Sequence, residues 1–245
     1  LLKQERTSAS LLMTSLAGAT IKTSPLAGDV QVFRSAVDDT FLMDDVNNLF
    51  TLAKRINSSW IAGTPTDRTK GITDLICSPE VVGSIRAMAY NPVNTRGGRG
   101  DTTAGDGATA FPLAASDEVR NELYRNAGIS SFMGLNILEY NEMGEDQKFN
   151  TLFDTAAGSN SYTRWDGTDS GVFDGDDEIV VGIDRTRDSL IRAVATDAES
   201  NSEFTLIADD QYSIRQNKIG YFGSVEEGRV VLDNRVLCGV IVDRG

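Results

Sequence analysis

One segment of the sequence, Val37 to Trp60, has the apolar spacing of a long amphipathic helix. Asp38 and Asp39 occupy the positions of an N-cap and a first turn. Lys54 and Arg55 fall in the last turn, so both ends suit the helix dipole. The pattern predicts a spine of about 30 Å, against which later segments pack. Its apolar residues recur at steps of three and four: Leu42, Val46, Leu49, Ala53, Ile56 and Trp60.

The charge balance of the chain limits its possible functions. The net charge is -13 over 245 residues, and residues 126–245 carry 10 Lys and Arg against 22 Asp and Glu. A groove that grips nucleic acid needs clustered positive charge, so sequence-independent nucleic-acid binding is not expected. The chain has no histidine. This absence excludes Ser-His-Asp and Cys-His catalysis and the usual zinc sites, and we expect no enzyme activity, no cofactor and no metal.

The two cysteines, Cys77 and Cys238, each lie in an apolar context and are expected to be buried free thiols. No apolar run approaches the roughly 18 residues of a membrane span, so no membrane partner is expected. The sequence begins without Met, which indicates that residue 1 is not the genetic start.

The first two thirds of the chain mix helices with strands. Ser78 and Pro79 are typical of an N-cap and a first helical position, which predicts a helix from Pro79 to about Tyr90. Strands are expected near Val32 and from Leu135 to Tyr140. Further helices are predicted at residues 3–17, 117–126 and 147–156, and irregular loops at 94–110 and 158–177.

The last third of the chain is dominated by strands. Turn residues such as Asp-Asp, Glu-Glu-Gly and Asp-Asn separate them. A mixed first part followed by a strand-rich end predicts an α+β fold rather than a repeating βαβ chain. The predicted strands are Glu178 to Asp184, Leu190 to Ala195, Glu203 to Ile207, Gln211 to Asn217, Ile219 to Ser224 and Arg229 to Val242.

The segment Asp166 to Asp177 has the spacing of a calcium-binding loop. Oxygen-bearing side chains fall at positions 1, 3, 5, 9 and 12, with Gly171 at the turn position 6: Asp166, Thr168, Ser170, Asp174 and Asp177. Position 12 is Asp rather than the usual bidentate Glu, and a strand is predicted directly after it. An acidic hairpin loop therefore remains the simpler interpretation.

Two adjacent acidic pairs, Asp209–Asp210 and Glu226–Glu227, could supply a general acid and a base. Both fall at predicted strand ends, where solvated turns explain them better. The glycine-rich stretch 100–107 lacks the lysine that a phosphate loop requires, because Asp106 stands in its place. Arg96 and Arg99 lie in the predicted loop 94–110, which we expect to contact a neighbouring subunit.

Several stretches, in this order, resemble the major capsid proteins of tailed bacteriophages with the Hong Kong phage-type fold. The stretch TDLICSPEVVGSIRAMAYNP resembles the strand and helix that open the family's axial (A) domain. The stretch DDEIVVGIDRTRDSLIRAV resembles the closing strand of that domain, and GISSFMGLNILEYNEM its central strand pair. The stretch DDQYSIRQNKIGYFGSVEEGRVVLDNRVLCGVIV resembles the terminal return through the peripheral (P) domain. The resemblance covers roughly residues 29–242.

The resemblance implies three parts of the chain. Residues 1–37 would form an N-terminal arm and extended-loop remnant, residues 38–60 plus 199–245 the P domain with the spine helix, and residues 61–198 the A domain. The implied function is self-assembly into pentamers and hexamers of an icosahedral phage head that encloses double-stranded DNA. The implied partners are other copies of the chain, with scaffold, portal and decoration proteins, and the implied location is the virion, assembled in host cytoplasm. The front is shorter than in the family, which suggests maturation cleavage or a missing segment.

Two other functions remain open at this stage. A calcium-binding adhesive or receptor-binding module would use Asp166–Asp177 and would melt at a higher temperature with calcium. A carboxylate-dependent hydrolase would need a pocket lined by two carboxylates. The sequence determines neither the triangulation number nor the host.

Overall fold

A computed structural model describes residues 2–57, 60–61, 64–65, 71–90, 131–187, 189–196, 202–208 and 221–244. The chain divides into two units: unit 1 comprises residues 1–187 and 233–245, and unit 2 residues 188–232. Among the described residues, no helix is long and apolar enough to cross a membrane. The fold is mixed α+β, as the sequence predicted. The predicted arm, P-domain and A-domain boundaries stay a prediction.

Unit 1 contains the helices and the main sheet. Its described α-helices are α1 Leu2–Ala17, α2 Met43–Ile56, α3 Pro79–Tyr90 and α4 Lys148–Ala157. Short 3-10 helices span Ala27–Asp29 and Asn234–Val236. Its described strands are β1 Val32–Arg34, β2 Trp60–Ile61, β3 Thr64–Pro65, β4 Asp74–Cys77, β5 Ser131–Phe132, β6 Leu135–Glu139, β7 Ser161–Thr163, β8 Ser170–Val172, β9 Asp177–Ile183 and β14 Leu237–Asp243.

Six of these strands form one mixed sheet in the order β1-β14-β9-β4-β6-β5. The β1–β14 and β4–β6 pairs are parallel, whereas β9 runs antiparallel to both β14 and β4. All seven residues of β9 and six of the seven in β14 are buried. A strand that is covered on both faces has a continuous run of apolar residues, and this pattern explains why the sequence predicted β9 and β14.

The core of unit 1 lies on both faces of this sheet. On one face, apolar residues of α2 and α3 join those of β4, β6 and β14 in a single cluster. On the other face, α1 contacts both α4 and β14. A Cβ on Gly239 of β14 would lie 3.2 Å from Leu16 of α1 and 3.2 Å from Ile179 of β9. The missing side chain therefore lets α1 approach the sheet closely.

The predicted spine helix exists but is shorter than the sequence suggested. Helix α2 has 14 residues, about 21 Å, and its apolar face is buried as predicted. The predicted N-cap is wrong: Asp39 has a φ of 63° and lies outside the helix. Asp45, in the first turn of the helix, stabilises the helix start instead. Its Oδ2 accepts a hydrogen bond of 2.8 Å from the Leu42 N–H. At the other end, Trp60 belongs to β2.

Other predicted elements are confirmed within a residue or two. Helix α3 has the predicted bounds, and the Ser78 Oγ accepts a 3.1 Å hydrogen bond from the Val81 N–H as an N-cap should. Both cysteines are buried and free, and burial raises the pKa of each thiol to about 12. The predicted final strand Arg229 to Val242 is wrong, because a 3-10 turn at Asn234–Val236 divides it into two strands.

Unit 2 consists, where it is described, of four strands in two separate pairs. Strands β10 Leu190–Val194 and β13 Glu227–Val231 pair antiparallel, as do β11 Thr205–Ala208 and β12 Tyr221–Ser224. A single two-stranded ribbon is marginally stable in water unless something packs on it.

Candidate interaction surface

The β10–β13 ribbon of unit 2 has two chemically different faces. Its register pairs Leu190 with Val231, Ile191 with Val230, Arg192 with Arg229, Ala193 with Gly228 and Val194 with Glu227. Successive strand residues point to opposite faces, so these pairs alternate between the two sides. One face therefore carries all the charged residues of the ribbon, and the other face carries none.

On the charged face, Glu227 is held by two arginines. Its Oε2 accepts a 2.7 Å hydrogen bond from Arg192 Nε, and its Oε1 lies 3.0 Å from Arg229 Nη2. The hydrogen bond from Arg192 lowers the pKa of Glu227 below its usual range, with Arg229 acting in the same direction. A carboxylate kept ionised in this way is a poor general acid. The sequence placed the Glu226–Glu227 pair in a solvated turn, whereas Glu227 lies in strand β13 and is held in this ion pair.

The uncharged face of the same ribbon comprises Ile191, Ala193, Gly228 and Val230, and we call it the apolar face. Ile191 is 38% exposed and Val230 45% exposed, and Ala193 and Gly228 are also exposed. Sequence analysis missed this face, because strand prediction does not give the pairing register. The stretch LIRAV gave no signal of it, because a single arginine stands among four apolar residues.

The second ribbon of unit 2 also leaves an aromatic residue in solvent. A Cβ on Gly223 would lie 2.5 Å from the Phe204 ring, so this ring covers the glycine. Phe204 is nevertheless 53% exposed, and Leu232, directly after β13, is 64% exposed. An aromatic ring over a strand glycine is a common way to stabilise a ribbon, but here it buries little of its own area.

Unit 2 differs from unit 1 in how little of its apolar surface is covered where its burial is described. Among the residues of 188–232 whose burial the structure describes, no hydrophobic side chain is buried. Six of the ten exposed large hydrophobic residues fall in this range: Leu190, Ile191, Phe204, Val225, Val230 and Leu232. Exposed apolar side chains concentrated in one unit make this part of the chain a candidate interaction surface.

The predicted calcium loop is distributed over a hairpin rather than wrapped around one point. Strands β7 and β8 pair across it, and the Asp166 Oδ1 accepts hydrogen bonds from the Thr168 N–H at 2.9 Å and its hydroxyl at 2.6 Å. Asp177 lies at the start of β9 and pairs with Arg34 instead. Within the described ranges, no three carboxylate or thiol side chains are grouped to hold a metal ion.

Arg34 and Asp177 form a buried ion pair that sequence analysis did not detect. Arg34 Nη2 lies 2.9 Å from Asp177 Oδ1 and 2.7 Å from Asp243 Oδ2, and Nη1 lies 3.0 Å from Asp177 Oδ2. Burial raises the pKa of Asp177 to about 6, against the opposing effect of the Arg34 guanidinium. The network joins β1, β9 and β14, so its role is to hold the sheet edge together.

A pocket of about 580 Å³ in unit 1 is rimmed by acidic residues. Glu80, Glu145 and Asp146 line it, and at its wall the buried Glu178 accepts hydrogen bonds of 2.9 and 2.8 Å from Arg244 Nε and Nη2. Burial raises the pKa of Glu178, whereas the Ser78 hydroxyl and Arg244 lower it. Arg244 therefore neutralises the buried carboxylate through Oε2, while Glu178 Oε1 has no hydrogen-bond partner among the described residues.

Several predicted features lie outside the described residues. These are the loop 94–110 with Arg96 and Arg99, the glycine-rich stretch 100–107, the helix 117–126, the pair Asp209–Asp210 and the strand Gln211 to Asn217.

Comparison with known proteins gives limited information. No family model and no curated protein matches the chain. A solved structure from Mycobacterium phage Ogopogo aligns with 99% of this chain and 68% of its own, at 15% identity and a TM-score of 0.30. A likeness at this level carries no argument about function.

Proposed function

We propose that this chain is a shell subunit, the major capsid protein of a tailed bacteriophage, that assembles into pentamers and hexamers of an icosahedral head. The observation that carries the proposal is unit 2: among its residues whose burial is described, no hydrophobic side chain is buried and six large ones are exposed. A segment of this composition gains stability only when a partner covers it. Copies of the same chain are the partner that a shell supplies.

The charge distribution supports the same proposal. A net charge of -13 with no basic cluster suits a container that encloses DNA without gripping it, since tight binding would hinder packing and release. Under this proposal Arg96 and Arg99 meet acidic edges of adjacent subunits. The protein works without an active site or cofactor, in the virion, alongside scaffold, portal and decoration proteins.

The Hong Kong phage-type fold, with its P and A domains, belongs to this proposal. Its sequence basis is the set of stretches that resemble the family. The mixed sheet of unit 1 is compatible with it, because the first strand–helix stretch corresponds to β4 and α3.

The experiment that tests the proposal is a size measurement on the purified chain, by light scattering and negative-stain electron microscopy. We expect closed polyhedral particles or rings of five and six subunits. A monodisperse monomer or dimer across concentration and salt would contradict the proposal for this chain. A melting temperature that rises with calcium in such a small species would favour the calcium-binding module instead.

A further inference from the structure

The apolar face of the β10–β13 ribbon has a regular arrangement of large and small residues. The large residues Ile191 and Val230 lie opposite each other on the two strands. The small residues Ala193 and Gly228 form the next pair on the same face, two residues further along each strand. A Cβ built on Gly228 meets nothing within 4 Å, so the space above the small pair is open. The face therefore presents a ridge next to a shallow depression.

This arrangement is complementary to itself. A two-fold axis parallel to the hydrogen-bond direction, passing between the two pairs, would turn one face onto another with the strands aligned. Ile191 of one copy would then lie over Ala193 of the partner copy, and Val230 over its Gly228, in both directions. Large residues over small ones give the interdigitation that well-packed interfaces need, and a two-fold contact uses the same patch twice.

The charge of the protein points to the same occupant. With a net charge of -13, most surfaces of one copy repel another copy. The apolar face has no charged residue in either strand, and the acidic Glu227 points to the opposite side, paired with Arg192 and Arg229. The next acidic residue along this face, Glu226, directly precedes β13, where its carbonyl accepts a hydrogen bond from the Ala195 N–H. In the two-fold arrangement the Glu226 residues of the two copies fall at opposite ends of the contact, so like charges are not brought together.

We propose that the apolar face, Ile191, Ala193, Gly228 and Val230, is a two-fold contact between two copies of this chain. The inference rests on the proposed self-assembly and names one of its contacts. Packing two ribbons face to face converts two marginal two-stranded sheets into a four-stranded sandwich with a buried centre.

The first test compares charge placed on the two sides of the same strand. Ile191→Glu puts a carboxylate in the proposed contact, and Leu190→Glu puts one on the opposite face at nearly equal exposure, 38% against 41%. We expect Ile191→Glu to weaken association about tenfold or more, measured by concentration-dependent light scattering. Leu190→Glu should leave association near the wild-type level. Equal loss in both variants, or no loss in either, would overturn the inference.

The second test distinguishes a second copy from any other partner. Ile191→Ala leaves a hole in the contact and Ala193→Ile creates a clash, so each should weaken association. The double variant that exchanges the two residues restores large over small in a two-fold contact, and association should recover. Failure of the exchange to recover what both single variants lose would exclude this two-fold contact.

The two proposals fail separately. If the wild-type chain forms shells or rings and Ile191→Glu forms them equally well, the apolar face is not the contact but the capsid proposal stands. If the wild-type chain forms no assembly larger than a dimer and Ile191→Glu abolishes that dimer, the face is confirmed and the capsid proposal fails. Circular dichroism of each variant shows whether the chain remains folded.

Discussion

The two units of this chain bury their apolar residues in opposite ways. In unit 1, β9 and β14 are covered on both faces by helices, and the core cluster draws on α2, α3 and the central sheet. In unit 2, the described strands form two separate ribbons, and the β10–β13 ribbon has exposed apolar side chains. Unit 1 therefore contains its own source of stability. Under the proposed self-assembly, the exposed residues of unit 2 gain theirs from a second copy of the chain.

The ion pairs of the two units differ in the same way. Arg34 in unit 1 is almost fully buried with Asp177, and Arg192 in unit 2 is half exposed with Glu227. A buried charge that loses its partner is costly, while water replaces the partner of an exposed charge. Matched substitutions can therefore test whether contacts in unit 1 contribute more to the stability of the chain than the exposed contacts of unit 2.

The largest expected loss of stability comes from breaking the buried ion pair between Arg34 and Asp177. Arg34→Met leaves Asp177 without its buried partner and should lower the free energy of unfolding by about 3–5 kcal/mol. Arg192→Met in unit 2 should cause little change. Both are measured by urea denaturation followed by circular dichroism. Similar small effects in the two variants would show that the sheet edge does not depend on Arg34.

A slightly smaller effect is expected from deleting buried apolar volume. Leu75 of β4 is fully buried, so Leu75→Ala should cost about 2–5 kcal/mol. Leu190 is exposed, so Leu190→Ala should leave the unfolding midpoint nearly unchanged. Thermal unfolding of the unassembled chain measures both. A large loss in Leu190→Ala would mean that unit 2 has a core among residues other than the described ones.

Two glycines test the opposite change in packing, in which a methyl group is added rather than removed. A Cβ at Gly182 in β9 would lie 3.0 Å from Cys238 Sγ and 3.3 Å from Ile72 Cδ1, all within the core. Gly182→Ala should therefore destabilise the chain by about 1–3 kcal/mol. A Cβ at Gly223 would be even closer to Phe204, at 2.5 Å, but that exposed ring can move aside. Gly223→Ala should change the melting temperature less than Gly182→Ala, and the reverse order would contradict the contrast.

The smallest expected effect is on how stability depends on pH. One carboxylate in each unit contributes to it, and the two contributions have opposite signs. Burial raises the pKa of Asp45 in α2 to about 6 from 3.8, so the folded state binds more protons between these values. The stability from this group is complete below about pH 3.8 and is lost as pH rises through 6. Acidifying from pH 7 to 5 should therefore add about 1.4 kcal/mol through Asp45. Asp45→Asn should remove that increment.

Glu227 in unit 2 provides the comparison. Its pKa is lowered chiefly by the Arg192 hydrogen bond, so its contribution is present above the ordinary carboxyl pKa and is lost on acidification. Denaturation midpoints for wild type, Asp45→Asn and Glu227→Gln measure the two signs, between pH 7 and 5 for Asp45 and from pH 5 down to about 3 for Glu227. An equal change in stability from pH 7 to 5 in the wild type and in Asp45→Asn would contradict the raised pKa.

The sequence predicted those elements whose signals are local. Helix α3 was found within its bounds because Ser78 caps it and Pro79 suits its first turn. The start of α2 was misplaced because the acidic residues at 38–39 were interpreted as its cap, whereas those at 44–45 lie in its first turn. Asp38 instead pairs with Arg164 at 2.6 Å, 126 residues away, and Asp45 bonds to Ser35 and Leu42. Which carboxylate caps the helix depends on partners that only the folded chain brings near.

By itself, the sequence determined the α+β class, the amphipathic face of α2, the two buried thiols and the strand-rich end, because propensity and periodicity act over a few residues. The tertiary structure decided which residues and strands pair within the chain. It placed Arg34 between Asp177 and Asp243, and it paired β10 with β13 so that charge lies on one face and Ile191 and Val230 on the other. Strand register and long-range ion pairs depend on contacts between distant segments, and no local pattern in one chain specifies them.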